Sequence, residues 1–95
     1  MAKIAFILLC HRDNRSIIEQ ARRLSAAGDY VSIHFDAGGR RADFRAIREA
    51  LAGNPNICFA SKRLKCGWGA WSLVQASLNA LQSAVETFAD ATHFY

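Results

Sequence analysis

The stretch KIAFILL, Lys3 to Leu9, is apolar without alternation once past its first residue. A strand with one wet face alternates polar and apolar side chains. A continuous run of this length suits a central strand of a parallel sheet, covered on both faces. Parallel neighbours must be joined by crossovers of a dozen or more residues, usually helices. The rest of the chain supplies that pattern. Ser16 and Glu19 have capping-box spacing, and Ile17, Ala21 and Leu24 stripe a first helix that Gly28 closes. Tyr30 to Phe35 is rich in β-branched and aromatic residues and reads as a second strand. Phe44, Ile47 and Leu51 stripe a second helix, which ends at Gly53-Asn54-Pro55. Asn56 to Ala60 reads as a third strand and Ser61 to Ala70 as a loop. Trp71, Val74, Leu78, Leu81 and Val85 stripe a third helix, and Thr92 to Tyr95 starts a fourth strand. The order β-α-β-α-β-α-β predicts a Rossmann-like α/β fold: a parallel sheet in three α/β/α layers with right-handed crossovers.

With 95 residues, 52% of them hydrophobic, and one proline, residues 1–95 are read as one globular unit. The net charge of +4 suits an anionic ligand such as a nucleotide. The basic residues come in pairs (Arg22-Arg23, Arg40-Arg41, Lys62-Arg63) and form no single stripe, which argues against a nucleic-acid surface. Three cysteines without C-x-x-C spacing argue against a disulfide framework and for a reducing compartment. The apolar run from Ile4 to Cys10 is short for a secretory leader and far too short to span a membrane.

In this architecture ligands bind beyond the carboxyl ends of the strands, so the informative residues are Cys10 to Asp13, His34 to Gly39 and Ser61 to Trp71. The first of these segments holds neither G-x-G-x-x-G nor a P-loop, and the third strand ends in ASKR where a phosphoacceptor domain would carry an aspartate. Asp36 ends the second strand. An ionised carboxylate only accepts, so it suits ribose hydroxyls or a base N–H, or it caps its own turn. His11 stands at the mouth of the sheet, whereas His34 reads as a core or interface histidine. Lys62, Arg63 and Lys65 either attract a diphosphate or form a solvated face. Cys10 and Cys58 read as small core residues, and no His, Cys or Asp cluster has metal-ligand spacing.

Three segments, FILLCHRD, YVSIHFD and ICFASKRLKCGWGAWSLVQASLNAL, together resemble the core-2/I-branching β-1,6-N-acetylglucosaminyltransferase family, which includes the peptide O-xylosyltransferases. The third segment is the specific one. The resemblance implies the N-terminal, nucleotide-binding half of a GT-A-type glycosyltransferase. It implies inverting transfer of N-acetylglucosamine from UDP-GlcNAc to a sugar hydroxyl, with UDP-xylose as the other donor, a glycan or sugar acceptor, and no metal or other cofactor. Carried over by position, Leu9, Cys10 and His11 border the uridine, Asp36 bonds the uracil or ribose, and Trp68 stands at the family's aromatic near the nucleotide. The family's catalytic glutamate and its diphosphate-gripping Lys and Arg fall beyond residue 95, so these residues alone are expected to be inactive. Relatives in eukaryotes are membrane-anchored; with no anchor ahead of the first strand, a bacterial cytoplasmic protein is expected.

The alternative is a non-catalytic Rossmann-like module that binds nucleotide or another protein. It predicts a natural stop after Tyr95 and a stable monomer. The ending ATHFY, cut within an apolar run, favours the front part of a longer protein. A truncated fourth strand would leave the first strand's edge open, which predicts self-association by strand exchange. Of the two tryptophans, Trp71 lies on the stripe expected to dock the third helix on the sheet, while Trp68 lies off it, between glycines that let the backbone turn sharply beside a ligand.

Overall fold

The computed structural model describes residues 4–10, 14–36, 38–60 and 70–95. Seven elements follow in order: β1 (Ile4–Cys10), α1 (Asn14–Ala26), β2 (Tyr30–Phe35), α2 (Arg41–Ala50), β3 (Ile57–Phe59), α3 (Ala70–Thr87) and β4 (His93–Phe94). The four strands form one parallel sheet in the order β3-β2-β1-β4. The expected α/β architecture and element order are therefore present. The strand order reverses between β1 and β4, which places the topological switch point there.

Side chains alternate across each strand, and this sorts the core into two layers. Val31, Ile33 and Phe35 of β2 are fully buried against Ala21 of α1 and Ile47 and Leu51 of α2. Phe44 of α2 stacks on Phe35, ring centroids 5.4 Å apart, and meets Phe59 edge-on at 6.0 Å. On the opposite face Ala5 and Tyr30 pack against Ala84 and Phe88. The Tyr30 ring lies parallel to Phe88 at 4.3 Å, and its hydroxyl donates to Asp90 at 2.7 Å. So α1 and α2 cover one face and α3 the other.

The turns follow their residues. Gly28 adopts φ +95°, with Gly28 N–H donating to Ser25 and Asp29 N–H to Leu24. These two bonds make a Schellman motif, and its left-handed residue is most easily a glycine. Gly53 takes φ +81° just after α2. The side chains of Asn54 and Asn56 then tie that turn to Ser25 and to the Asp29 carbonyl.

Four expectations need correcting. First, α1 runs from Asn14, so Ser16 lies inside the helix and is not its cap. Second, the strand buried along its whole length is β2, not β1. In β1 only Ala5 is fully buried, and Leu9 is 39% exposed. The cause is β4, which pairs only with Ile4 and Ala5, its ladder ending in the Ile7 N–H to Tyr95 carbonyl bond. Third, β3 and β4 are each shorter than their expected spans.

The fourth correction concerns α3. Its stripe of large apolar residues does not dock on the sheet: Val74, Leu78 and Val85 are about half-exposed. Ala76, Ala80, Ser83 and Ala84, on the opposite side of the helix, are buried instead. The Ser32 hydroxyl donates to the Ala80 carbonyl at 2.7 Å. An approach that close admits only alanine and serine between helix and strand. The Trp71 side chain, expected to share the docking face, lies outside the described residues.

Candidate functional site

The strand ends meet where β1 and β2 finish side by side. The ladder pairs Cys10 with Phe35, and one bond further the Asp36 N–H donates to the Cys10 carbonyl at 2.8 Å. This fixes the Asp36 backbone at the mouth of the sheet. Its carboxylate accepts from the Gly38 N–H at 2.7 Å, and its carbonyl accepts from the Gly39 N–H at 3.0 Å. Asp36 thus caps its own turn. Half-buried, it keeps a solvent-facing side, so the cap and a ligand-accepting role are compatible in one carboxylate, which has about four lone-pair sites.

Cys10 turns toward the layer of α1 and α2, its thiol 3.8 Å from the His34 carbonyl. Burial pushes that thiol up to about 11, from an ordinary 9.0. Cys10 therefore stays protonated and suits packing, not nucleophilic attack. Cys58 is also raised by burial, opposed by hydrogen bonds with Ser32 and Thr87.

Leu9 points the other way. With Ile7, Leu78, Leu81 and Phe94 it walls a groove of about 300 Å³ between β1, α3 and β4. The groove is mostly apolar, with Ser77 and Tyr95 its polar-tipped lining residues, and lies at the switch point. Adjacent residues on a strand face opposite sides, so the Leu9 and Cys10 side chains cannot line one cavity. What the strand ends bring together is the Cys10 backbone and Asp36. His34 is buried and opposes Leu9 across the β1–β2 register, on the α3 side. His11 and Trp68 lie outside the described residues, as do Lys62, Arg63 and Lys65.

The groove is the feature that sequence patterning missed. Its signal was present in the alternation of β1: Ile7 and Leu9 share a face with Ala5. A second hollow, of about 310 Å³, lies along α2, where Arg41, Arg45 and Arg48 share a helix face with Phe44. The Arg48 guanidinium sits 5.5 Å from the Phe44 ring centroid and 5.8 Å from that of Phe59. Among the described residues, no group of three His, Cys, Asp or Glu side chains could hold a metal ion, and no helix is long and apolar enough to cross a membrane.

No family model matches the chain. It is similar to the human beta-1,3-galactosyl-O-glycosyl-glycoprotein beta-1,6-N-acetylglucosaminyltransferase 3, with 24% identity over 84 residues. The match covers 88% of this chain and 19% of the human protein, so the chain spans about a fifth of that relative's length. The likeness supports a distant relation to that transferase's family.

Proposed function

We propose that these residues form the donor-nucleotide part of a glycosyltransferase that transfers N-acetylglucosamine from UDP-GlcNAc to a sugar hydroxyl with inversion. The observation that carries the reading is the likeness to a β-1,6-N-acetylglucosaminyltransferase, which extends over nearly the whole chain. Supporting it, Asp36 is an acceptor fixed at the carboxyl end of β2, the place where doubly wound sheets meet ribose or base. The Asp36 carboxylate accepts from the nucleoside and the backbone at Leu9 and Cys10 borders it, while the family resemblance assigns His11 to the uridine and Trp68 to the aromatic position near the nucleotide. UDP-xylose is the alternative donor. Transfer needs a base to deprotonate the acceptor and cations to steady the departing diphosphate. Both come from outside residues 1–95, and no metal takes part.

Calorimetric titration of the protein with UDP tests the site. Asp36→Ala removes a charged acceptor whose hydrogen bond contributes ~1.5–3 kcal/mol. Affinity is expected to fall roughly ten- to hundredfold, by the factor of ten per 1.4 kcal/mol. Chelation with EDTA is expected to leave UDP binding unchanged. Equal binding by Asp36→Ala would remove the assignment of Asp36, and absence of UDP binding would remove the nucleotide site and favour a non-catalytic interaction module.

A further inference from the structure

We infer that the outward face of α2 docks an acidic helical segment of a partner protein, held by a row of arginines. Arg41, Arg45 and Arg48 follow at i, i+4 and i+7, so all three lie on one side of the helix. At about 1.5 Å of rise per residue the row is about 10 Å long. With Phe44 and Glu49 these arginines line the hollow of about 310 Å³. All five residues are described, and the four charged ones are exposed.

The row runs against the local electrostatics of its own helix. Arg41 opens α2, and Arg40 stands at its cap without a side-chain cap bond. The helix dipole disfavours cations at that end and favours an anion. Arg41 and Arg45, four residues apart, repel each other. Glu49 follows Arg45 by four, the weaker of the two orders for an ion pair along a helix. Among the described residues neither Arg41 nor Arg45 is bonded to a carboxylate. Arg48 is held by rings instead, its guanidinium 5.5 Å from the Phe44 centroid and 5.8 Å from that of Phe59. Stacking of this kind orients the planar fork before any ligand arrives. An anion laid along the row removes the repulsion and meets prepared donors.

The form of the hollow selects among anions. Residues of a single helix line it, so it is an open trough. A small phosphate ligand is ordinarily engulfed by several elements, which this trough does not provide. The Phe44 ring is already contacted by Phe35 at 5.4 Å and by Arg48, so it offers no platform for a nucleobase. Phe44, Ile47 and the following Leu51 pack into the core. The outer face therefore lacks the large apolar residues that seat a helix in a lipid surface. A second helix laid in the trough, with carboxylates at i, i+4 and i+7, meets the three guanidiniums one to one. Asp36 takes no part in this contact. The inference does not rest on the nucleotide reading, and a failed UDP titration leaves it intact.

Fluorescence anisotropy tests it with a labelled alanine-based helical peptide carrying glutamates at i, i+4 and i+7, beside the same peptide with glutamines. Saturable binding of the glutamate peptide below about 1 mM is expected, weakening several-fold as salt rises from about 20 to 200 mM. Arg45→Gln removes a charged donor and should weaken binding about tenfold or more. Arg45→Lys keeps the charge but loses the fork, and should fall between Arg45→Gln and the parent. Val85→Glu changes the net charge by the same amount on α3, across the sheet, and should bind like the parent. Circular dichroism checks the fold of each variant; if Arg45→Gln disturbs α2, Arg41→Gln reports on the same row. Four results overturn the inference: no binding below about 1 mM, equal binding of the glutamine peptide, an Arg45→Gln affinity equal to the parent's, or equal losses in Arg45→Gln and Val85→Glu. Tighter binding to oligothymidylate or to phosphatidylserine vesicles than to the glutamate peptide also overturns it, and would assign the face to nucleic acid or to lipid.

Discussion

Asp36 shows how one side chain can satisfy two readings. Its carboxylate closes a turn through the Gly38 N–H, and that same bond holds it at the end of β2. A capping aspartate is thus a preorganised acceptor, because the turn has already restricted its rotamer. Cys10, one strand over, is the opposite case. Its thiol is raised to about 11 by burial. At pH 8 its thiolate fraction is roughly a hundredfold below that of an ordinary cysteine, since each pKa unit is a factor of ten. Alkylation by iodoacetamide followed by mass spectrometry should find Cys10 at least that much slower than a free thiol. The sign also gives Cys10 a pH-dependent contribution to stability on the alkaline side. The unfolded chain ionises first, so the contribution from Cys10 is full below pH 9 and is lost as pH rises toward 11. Cys10→Ala should flatten the stability profile in that window. At φ +95°, with nothing within 4 Å of where an added methyl would sit, Gly28→Ala meets backbone strain alone. It should destabilise by about 1–2 kcal/mol in urea melts, with no change in the spectrum of the folded state.

Among the elements, α3 carries the main lesson. Its large apolar residues repeat every three or four positions, a pattern that ordinarily marks the buried side of a helix. The buried side is instead Ala76, Ala80, Ser83 and Ala84, because the helix lies close enough for Ser32 to reach the Ala80 carbonyl. Ala80→Leu should therefore overpack the α3–sheet contact and destabilise by ~1–3 kcal/mol. Leu78→Ala should stay within about 0.5 kcal/mol of the parent. Thermal melts of the pair distinguish the small-residue face from the large-residue stripe. The same contrast shows what is legible in a sequence like this one. Element order, parallel pairing, the left-handed turn at Gly28 and the place of Asp36 at the end of β2 all follow from local rules of period and turn chemistry. The face on which α3 docks does not, because hydrophobic periodicity records which residues avoid water, whereas docking distance depends on which residues are small. The incomplete cover of β1 also escaped the pattern, since KIAFILL is apolar whether or not a strand pairs along all of it.

At the scale of the whole molecule, two cores of unequal strength share one sheet. The layer under α1 and α2 holds Ile33, Phe35, Ile47 and Leu51, whereas that under α3 rests on alanines with Tyr30 and Phe88. A domain of this size has a net stability of only ~5–15 kcal/mol, so ligand binding moves it measurably. The proposed nucleotide site lies above β1 and β2, which join both layers and therefore unfold with either. A ligand that binds only the folded state at a hundred times its Kd adds ~2.7 kcal/mol. In a domain of 60–100 residues each kcal/mol raises Tm by about 4–8 °C. Saturating UDP should therefore raise the Tm of this chain by roughly 10 °C or more. In Asp36→Ala the shift at the same UDP concentration should shrink by several degrees, measured from a ligand-free Tm that is itself lowered because the Gly38 N–H loses its acceptor. An interaction module without a nucleotide site predicts no shift in either protein. Uridine without its phosphates separates the contributions further: if Asp36 acts on the nucleoside, its substitution should lower the shift with uridine as well as with UDP. A loss confined to UDP would place the aspartate's influence on the diphosphate and contradict the assigned contact.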